Sequence, residues 1–126
     1  MSRDKSLPPA RAVENKELFE LHAHVCKVLA NAKRLEVIHL LRGGEKAAGD
    51  LARDMGIPKA NVSQQLAVMR EKGILASRRE GRRIYYRLAY PGMLKAYDLL
   101  RRVLLDQLED RGALAKRLRQ TRMIRR

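Results

Sequence analysis

The sequence predicts a mostly α-helical domain with one small β-hairpin, in the order α-α-α-α-β-β-α. Three observations carry that reading. Two helix-period stretches flank Gly56-Ile57-Pro58, the spacing of a tight turn between packed helices. A strand-turn-strand pattern follows, with Arg78, Arg79, Arg82 and Arg83 around its tip. The chain is also strongly basic, with 28 Lys+Arg against 14 Asp+Glu and a net charge of +14 over 126 residues. That length suits a single core. Helix, turn, helix and arginine-tipped hairpin in this order make a winged helix-turn-helix, a module that reads double-stranded DNA.

Residues 1–14 read as a flexible polar lead-in, 15–112 as the folded domain and 113–126 as a basic tail. The first helix starts near Glu17, where Leu18, Leu21, Val25 and Val28 or Leu29 share a face. Ala30-Asn31 breaks it, and Asn31 is a good N-cap for the next helix. That second helix carries Leu35, Val37, Ile38, Leu40 and Leu41 around most of its circumference, the mark of a helix buried between others. Gly43-Gly44 stops it, because glycine tolerates the left-handed conformation that closes a helix. Ala48, Leu51, Ala52 and Met55 then recur at i, i+3, i+4, i+7. Pro58 is placed in the first turn of the fourth helix, where a missing N–H costs little. There Val62, Leu66 and Met69 point inward and Gly73 is the stop. Ile74 to Arg79 reads as a strand, Glu80-Gly81 as a tight turn and Arg83 to Leu88 as the return strand. Ile84, Tyr86 and Leu88 alternate onto one face. Pro91 opens a long last helix with Leu94, Tyr97, Leu100, Leu104, Leu105 and Leu108 on a broad face, interrupted at Gly112. The tail ALAKRLRQTRMIRR holds six Lys/Arg and no acid, compatible with a basic helix or with disorder.

A small domain this basic meets a polyanion, with nucleic acid ahead of an anionic membrane surface. Insertion is excluded by the lack of any apolar run near the roughly 20 residues needed to span. MSRDKSLPPARAVEN has no apolar segment of a secretory signal. The single cysteine, Cys26, rules out an intramolecular disulfide and suits a reducing cytoplasm. No phosphate-cradling glycine loop and no acid or nucleophile-base pair with interpretable spacing is present, so catalysis is not expected.

With Val62, Leu66 and Met69 at the back of the fourth helix, its N-terminal front consists of Lys59, Ala60, Asn61, Ser63 and Gln64. Small residues there allow close approach to a major groove, and amides supply paired donor and acceptor contacts to adenine. Lys59 and Arg70 suit phosphates. Any helix has a solvated polar face; the attached turn and wing are what argue against so plain a role. Arg78, Arg79, Arg82 and Arg83 repel one another and add nothing to a core, but can straddle phosphates or enter a minor groove. A solubilising edge would explain two of them, not four.

LARDMGIPKANVSQQLAVMREKGILASRREGRRIYYRL resembles the DNA-binding core of the ArsR/SmtB bacterial repressors, and VCKVLANAKRLEVIHLL resembles the two helices that precede it. The likeness spans about residues 17–108. It implies a homodimer built on the first and last helices, a palindromic operator, and release when an inducer binds. The helical periodicity independently leaves Leu18, Leu21, Val25, Leu94, Tyr97, Leu100, Leu104 and Leu108 as candidates for that interface.

Members of this family often bind metals through a Cys-x-Cys pair just before the Asp-Leu-Ala stretch. The matching positions here are Ala47 and Gly49, which ligate nothing. A second family site uses Asp, His and Glu of the last helix, but that helix has Asp98, Asp106, Glu109 and Asp110 without histidine. No metal or other cofactor is therefore expected. His22 and Cys26 share a helix face and could be completed by His39 or a second protomer, whereas His24 points elsewhere. The plainer reading makes Cys26 a small hydrophobe and the histidines ordinary surface residues. The favoured function is a dimeric, sequence-specific transcriptional repressor. The alternative is an architectural, nucleoid-type DNA-binding protein with little sequence preference, which the basic tail favours. An RNA-binding or protein-interaction module is disfavoured by one Phe, four Tyr and no Trp, too few stacking platforms.

Overall fold

The computed structural model describes residues 15–124; the expected lead-in 1–14 lies outside them. Helix α1 (Lys16–Leu29) is capped by Asn15, whose side chain accepts from the Glu17 N–H. Asn31 caps α2 (Ala32–Leu40) as its sequence position indicates, accepting from the Lys33 and Arg34 N–H groups at 3.0 and 3.2 Å. A single 3₁₀ turn, Leu41–Gly43, follows α2 before Gly44 adopts a φ of 124°. The short strand β1 (Lys46–Ala47) leads directly into α3 (Ala48–Met55). Gly56, in the left-handed conformation, closes α3 and turns the chain into α4 (Lys59–Glu71). Strands β2 (Leu75–Glu80) and β3 (Arg83–Leu88) form the hairpin. Helix α5 spans Gly92–Asp110, and α6 spans Ala113–Ile124, so the described part of the basic tail is helical.

Val37, Ile38, Leu51, Val62, Leu66 and Met69 are the fully buried centre, where α2, α3 and α4 meet. Val28 from α1, Leu41, and Ile74 and Leu75 at the root of the hairpin close that core. Leu94 and Tyr97 of α5 pack on its flank, and α6 packs on α5. Among the described residues no helix is long and apolar enough to cross a membrane.

Three local expectations shift. Pro58 stands one residue earlier than expected, as the cap position of α4, its carbonyl accepting from the Asn61 and Val62 N–H groups. The hairpin turn is Gly81-Arg82 rather than Glu80-Gly81: β2 runs through Glu80, which pairs with Arg83. Gly81 then occupies the first turn position with φ 62°, where a two-residue hairpin turn tolerates glycine best. The sheet has a third strand, in the order β1-β3-β2, with Lys46 opposite Tyr86 and Ala47 opposite Tyr85. That strand anchors the inner edge of the wing to the start of α3.

Candidate nucleic-acid interface

The placement of α4 follows from what its back is packed against. Val62, Leu66 and Met69 are fully buried, as their spacing requires, which turns Lys59, Ala60, Asn61, Gln64 and Ala67 outward. Ser63 is half-buried at the edge of this face, and Arg70 is exposed in the last turn of the helix. The angle between α3 and α4 is set by Gly56, by the Ile57 N–H donating to the Ala52 carbonyl at 3.2 Å, and by Ile57 packing on the core. Gln65, on the flank of α4, is half-buried and accepts at Oε1 from Arg34 Nε at 2.8 Å.

The wing projects beside this face. A cleft is lined by Lys59 and Ser63 of α4, Arg82 and Arg83 of the hairpin, and the small residues Ala47, Ala48 and Gly49. The helix front and the wing tip thus border one groove, and the absence of bulk at Ala47–Gly49 keeps it open. The positions that would carry a Cys-x-Cys pair are part of this floor.

The four wing arginines divide into two kinds. Arg78 is engaged by Glu45 at 2.5 Å and Glu80 at 3.2 Å, and its guanidinium lies 4.7 Å from the Tyr85 ring centroid. Its hydrogen bonds hold the Glu45 carboxyl below the usual carboxylate range, so the pair stays ionised. Arg83 reaches Asp50 at 3.3 Å and also lies over Tyr85. Arg79 and Arg82 are exposed and make no ion pair among the described residues. Sequence treated the four alike; the structure ties Arg78 to the body of the protein and leaves Arg79 and Arg82 as the accessible cations of the tip.

Of the apolar positions on α1 and α5, Leu21, Leu100 and Leu104 are exposed, and Leu18, Val25 and Leu108 are half-buried. Leu94 and Tyr97 already pack against the chain's own core. Phe19, Leu99 and Val103, which the periodicity did not single out, are also exposed. His22, His24 and Cys26 are all exposed on α1, and no group of three or more potential ligands clusters among the described residues. On α5, Asp98 is bound to Arg42 and Glu109 to Arg119.

Comparison with known proteins agrees with this fold. Residues 31–77 match the family described as bacterial regulatory protein, arsR family. The chain is 35% identical over 108 residues to the HTH-type transcriptional regulator Rv0081 of Mycobacterium tuberculosis, covering 85% of this chain and 95% of that one. Its crystal structure superposes with a TM-score of 0.69 at 36% identity, over 76% of this chain and 97% of that one. A solution structure from Mycobacterium bovis, described as a homodimeric winged helix-turn-helix DNA-binding domain, gives 0.68 at 31% identity over 85% and 95%. The biofilm growth-associated repressor of Xylella fastidiosa is 35% identical over 68% of this chain and 75% of its own.

Proposed function

The chain belongs to the arsR family of bacterial regulatory proteins, as a DNA-binding transcriptional regulator and not an enzyme, and from that premise we propose that it is a homodimeric, sequence-specific repressor acting in the cytoplasm and released from its operator by a signal. The carrying observation is the groove shared by the front of α4 and the wing, with Lys59 and Ser63 facing Arg82 and Arg83. In this reading Ala60, Asn61, Ser63 and Gln64 approach base edges. Lys59, Arg70, Arg79 and Arg82 contact phosphates or the adjacent minor groove. Arg83 assists from the groove wall, and Arg78 acts by bracing the wing. Exposed apolar residues on α1 and α5 would meet a second copy, setting two α4 helices against two half-sites. Repression is carried over from relatives named as repressors. A thiophilic metal is a poor candidate for the releasing signal, since Ala47 and Gly49 offer no ligands and α5 has no histidine.

The architectural reading is favoured by one specific observation, the exposed cations Lys116 and Arg117 on α6, which add charge outside the residues that line the groove. Measuring affinity for a selected operator and for random duplex at one fixed salt concentration separates the two. A specific regulator gives a ratio of roughly 10³ or more; a ratio near one would favour architecture.

A further inference from the structure

Arg34 makes a set of contacts that DNA reading as described does not use. Its backbone N–H is held by the Asn31 cap at 3.2 Å, which fixes the base of the side chain at the start of α2. From there the guanidinium reaches two other helices at once. Nη1 donates to the Val28 carbonyl at 2.8 Å, and Nε donates to Gln65 Oε1 at 2.8 Å. Val28 lies in the last turn of α1, where carbonyls have no partner within their own helix. Gln65 lies on α4 beside Gln64. One planar cation therefore bridges the C-terminal end of α1 and the flank of α4, partly buried at both contacts.

We propose that Arg34 is a positioning residue that transmits the placement of α1 to the base-reading face of α4. Gln65 stands one residue, about 100° around the helix, from Gln64. Holding its amide to a fixed point outside α4 restrains rotation of that helix about its own axis. The Met69–Val62 back of the helix sets the same rotation only through non-directional apolar packing, whereas the hydrogen bond is directional. The other contact, to Val28, makes the fixed point a part of α1, the helix on which Phe19 and Leu21 are exposed. A shift of α1 thus moves the acceptor at one end of the guanidinium and strains the donor at the other. A lysine cannot replace this fork, because its ammonium is a single point and these acceptors belong to different elements.

The inference rests on the proposed roles of α1 in the dimer and α4 in base reading. Its test compares wild type with Arg34→Lys, Gln65→Ala, Gln65→Glu and the Arg34→Lys/Gln65→Ala double variant. Each is measured for dimerisation and for affinity to operator and to random duplex at one salt concentration. Gln65→Ala leaves Arg34 and the Val28 contact in place, so it reports even if the arginine variant folds poorly. The operator-to-random ratio should fall about tenfold in Arg34→Lys and in Gln65→Ala, the size of one charge-assisted hydrogen bond. The double variant should fall no further, and Gln65→Glu, which keeps an acceptor for Arg34, should retain the wild-type ratio. Equal loss on operator and random duplex, or additive losses in the double variant, would overturn the proposal by making Arg34 a fold-stabilising group or Gln65 an independent DNA contact. A wild type with no operator preference would remove the base-reading premise itself; a wild type with preference that Gln65→Ala leaves intact would remove only the link through Arg34.

Discussion

At the scale of single residues, the roles proposed for Gln64 and Arg82 separate two kinds of recognition. Gln64 is outward on α4 with its amide unoccupied by any hydrogen bond among the described residues. Its replacement by alanine should cost about 1–3 kcal/mol on the operator and relax preference at one base position, measured by competition among operator variants. Arg82→Ala should instead weaken all sequences evenly and reduce the slope of log affinity against log salt by about one. Arg78→Ala is expected to differ from both. Its charge is already engaged by Glu45 and Glu80, so the salt slope should change less than for Arg82, while the wing loses its tie to the body and thermal stability falls. That distinction was invisible in sequence. Four arginines near one turn are easy to read, but Arg78's partner Glu45 is 33 residues away and follows a glycine pair that gave no sign of facing the hairpin. Arg34 was hidden for the same reason: its acceptors are a backbone carbonyl and a glutamine 31 residues distant.

At the scale of elements, α3 and α4 were legible because their buried side chains recur at helical spacing and the turn between them needs a glycine at φ 68°. β1 was not, since two residues carry no period and the strand exists only through pairing with β3. Long-range chemistry of the same sort also ties α5 to the body of the chain. Arg42, in the turn after α2, donates to both carboxylate oxygens of Asp98 at 2.9 and 2.6 Å. These hydrogen bonds hold the Asp98 carboxyl below its ordinary range. A carboxyl so lowered contributes stability above its unfolded value and loses that contribution as pH falls toward the folded value. Burial, with help from Arg101 and Arg42, lowers His39 on the adjoining face of α2. For His39 the unfolded chain takes up its proton first, so stability declines as pH falls below the ordinary value of 6.5. Both groups act in the same direction, in separate windows. Thermal melts should therefore show His39→Gln flattening the decline that begins in the histidine range, and Asp98→Asn flattening only the more acidic one. Both effects should be small, because His39 is exposed and the Arg42–Asp98 pair is nearly half exposed, so solvent screens both.

At the scale of the whole molecule, α5 is the decisive element. It has 19 residues, is the longest helix described, and has none of them fully buried in the single chain. Leu99, Leu100, Val103 and Leu104 are exposed along it, and Phe19 and Leu21 are exposed on α1. A stripe of this kind is apolar surface left in water at roughly 25 cal/mol per Å², a standing drive toward association. The sequence carried this signal in its periodicity but could not apportion it: Leu94 and Tyr97 belong to the same face yet serve the chain's own core. The outward residues are thus the better probes of assembly. Leu104→Glu should leave the core intact, because Leu104 is 49% exposed and none of the buried residues depends on it. It should nevertheless place a charge within the proposed two-fold contact, where a desolvated apolar surface would oppose it. Sedimentation should then show a monomer at concentrations where wild type, on the proposed reading, is a dimer, with unchanged helical content. Operator affinity should fall by far more than any single base contact supplies, since a monomer holds one half-site and loses the effective concentration that the second provides. A wild type that sediments as monomer, or a Leu104→Glu variant that binds the operator as tightly as wild type, would show that reading DNA does not require the second copy.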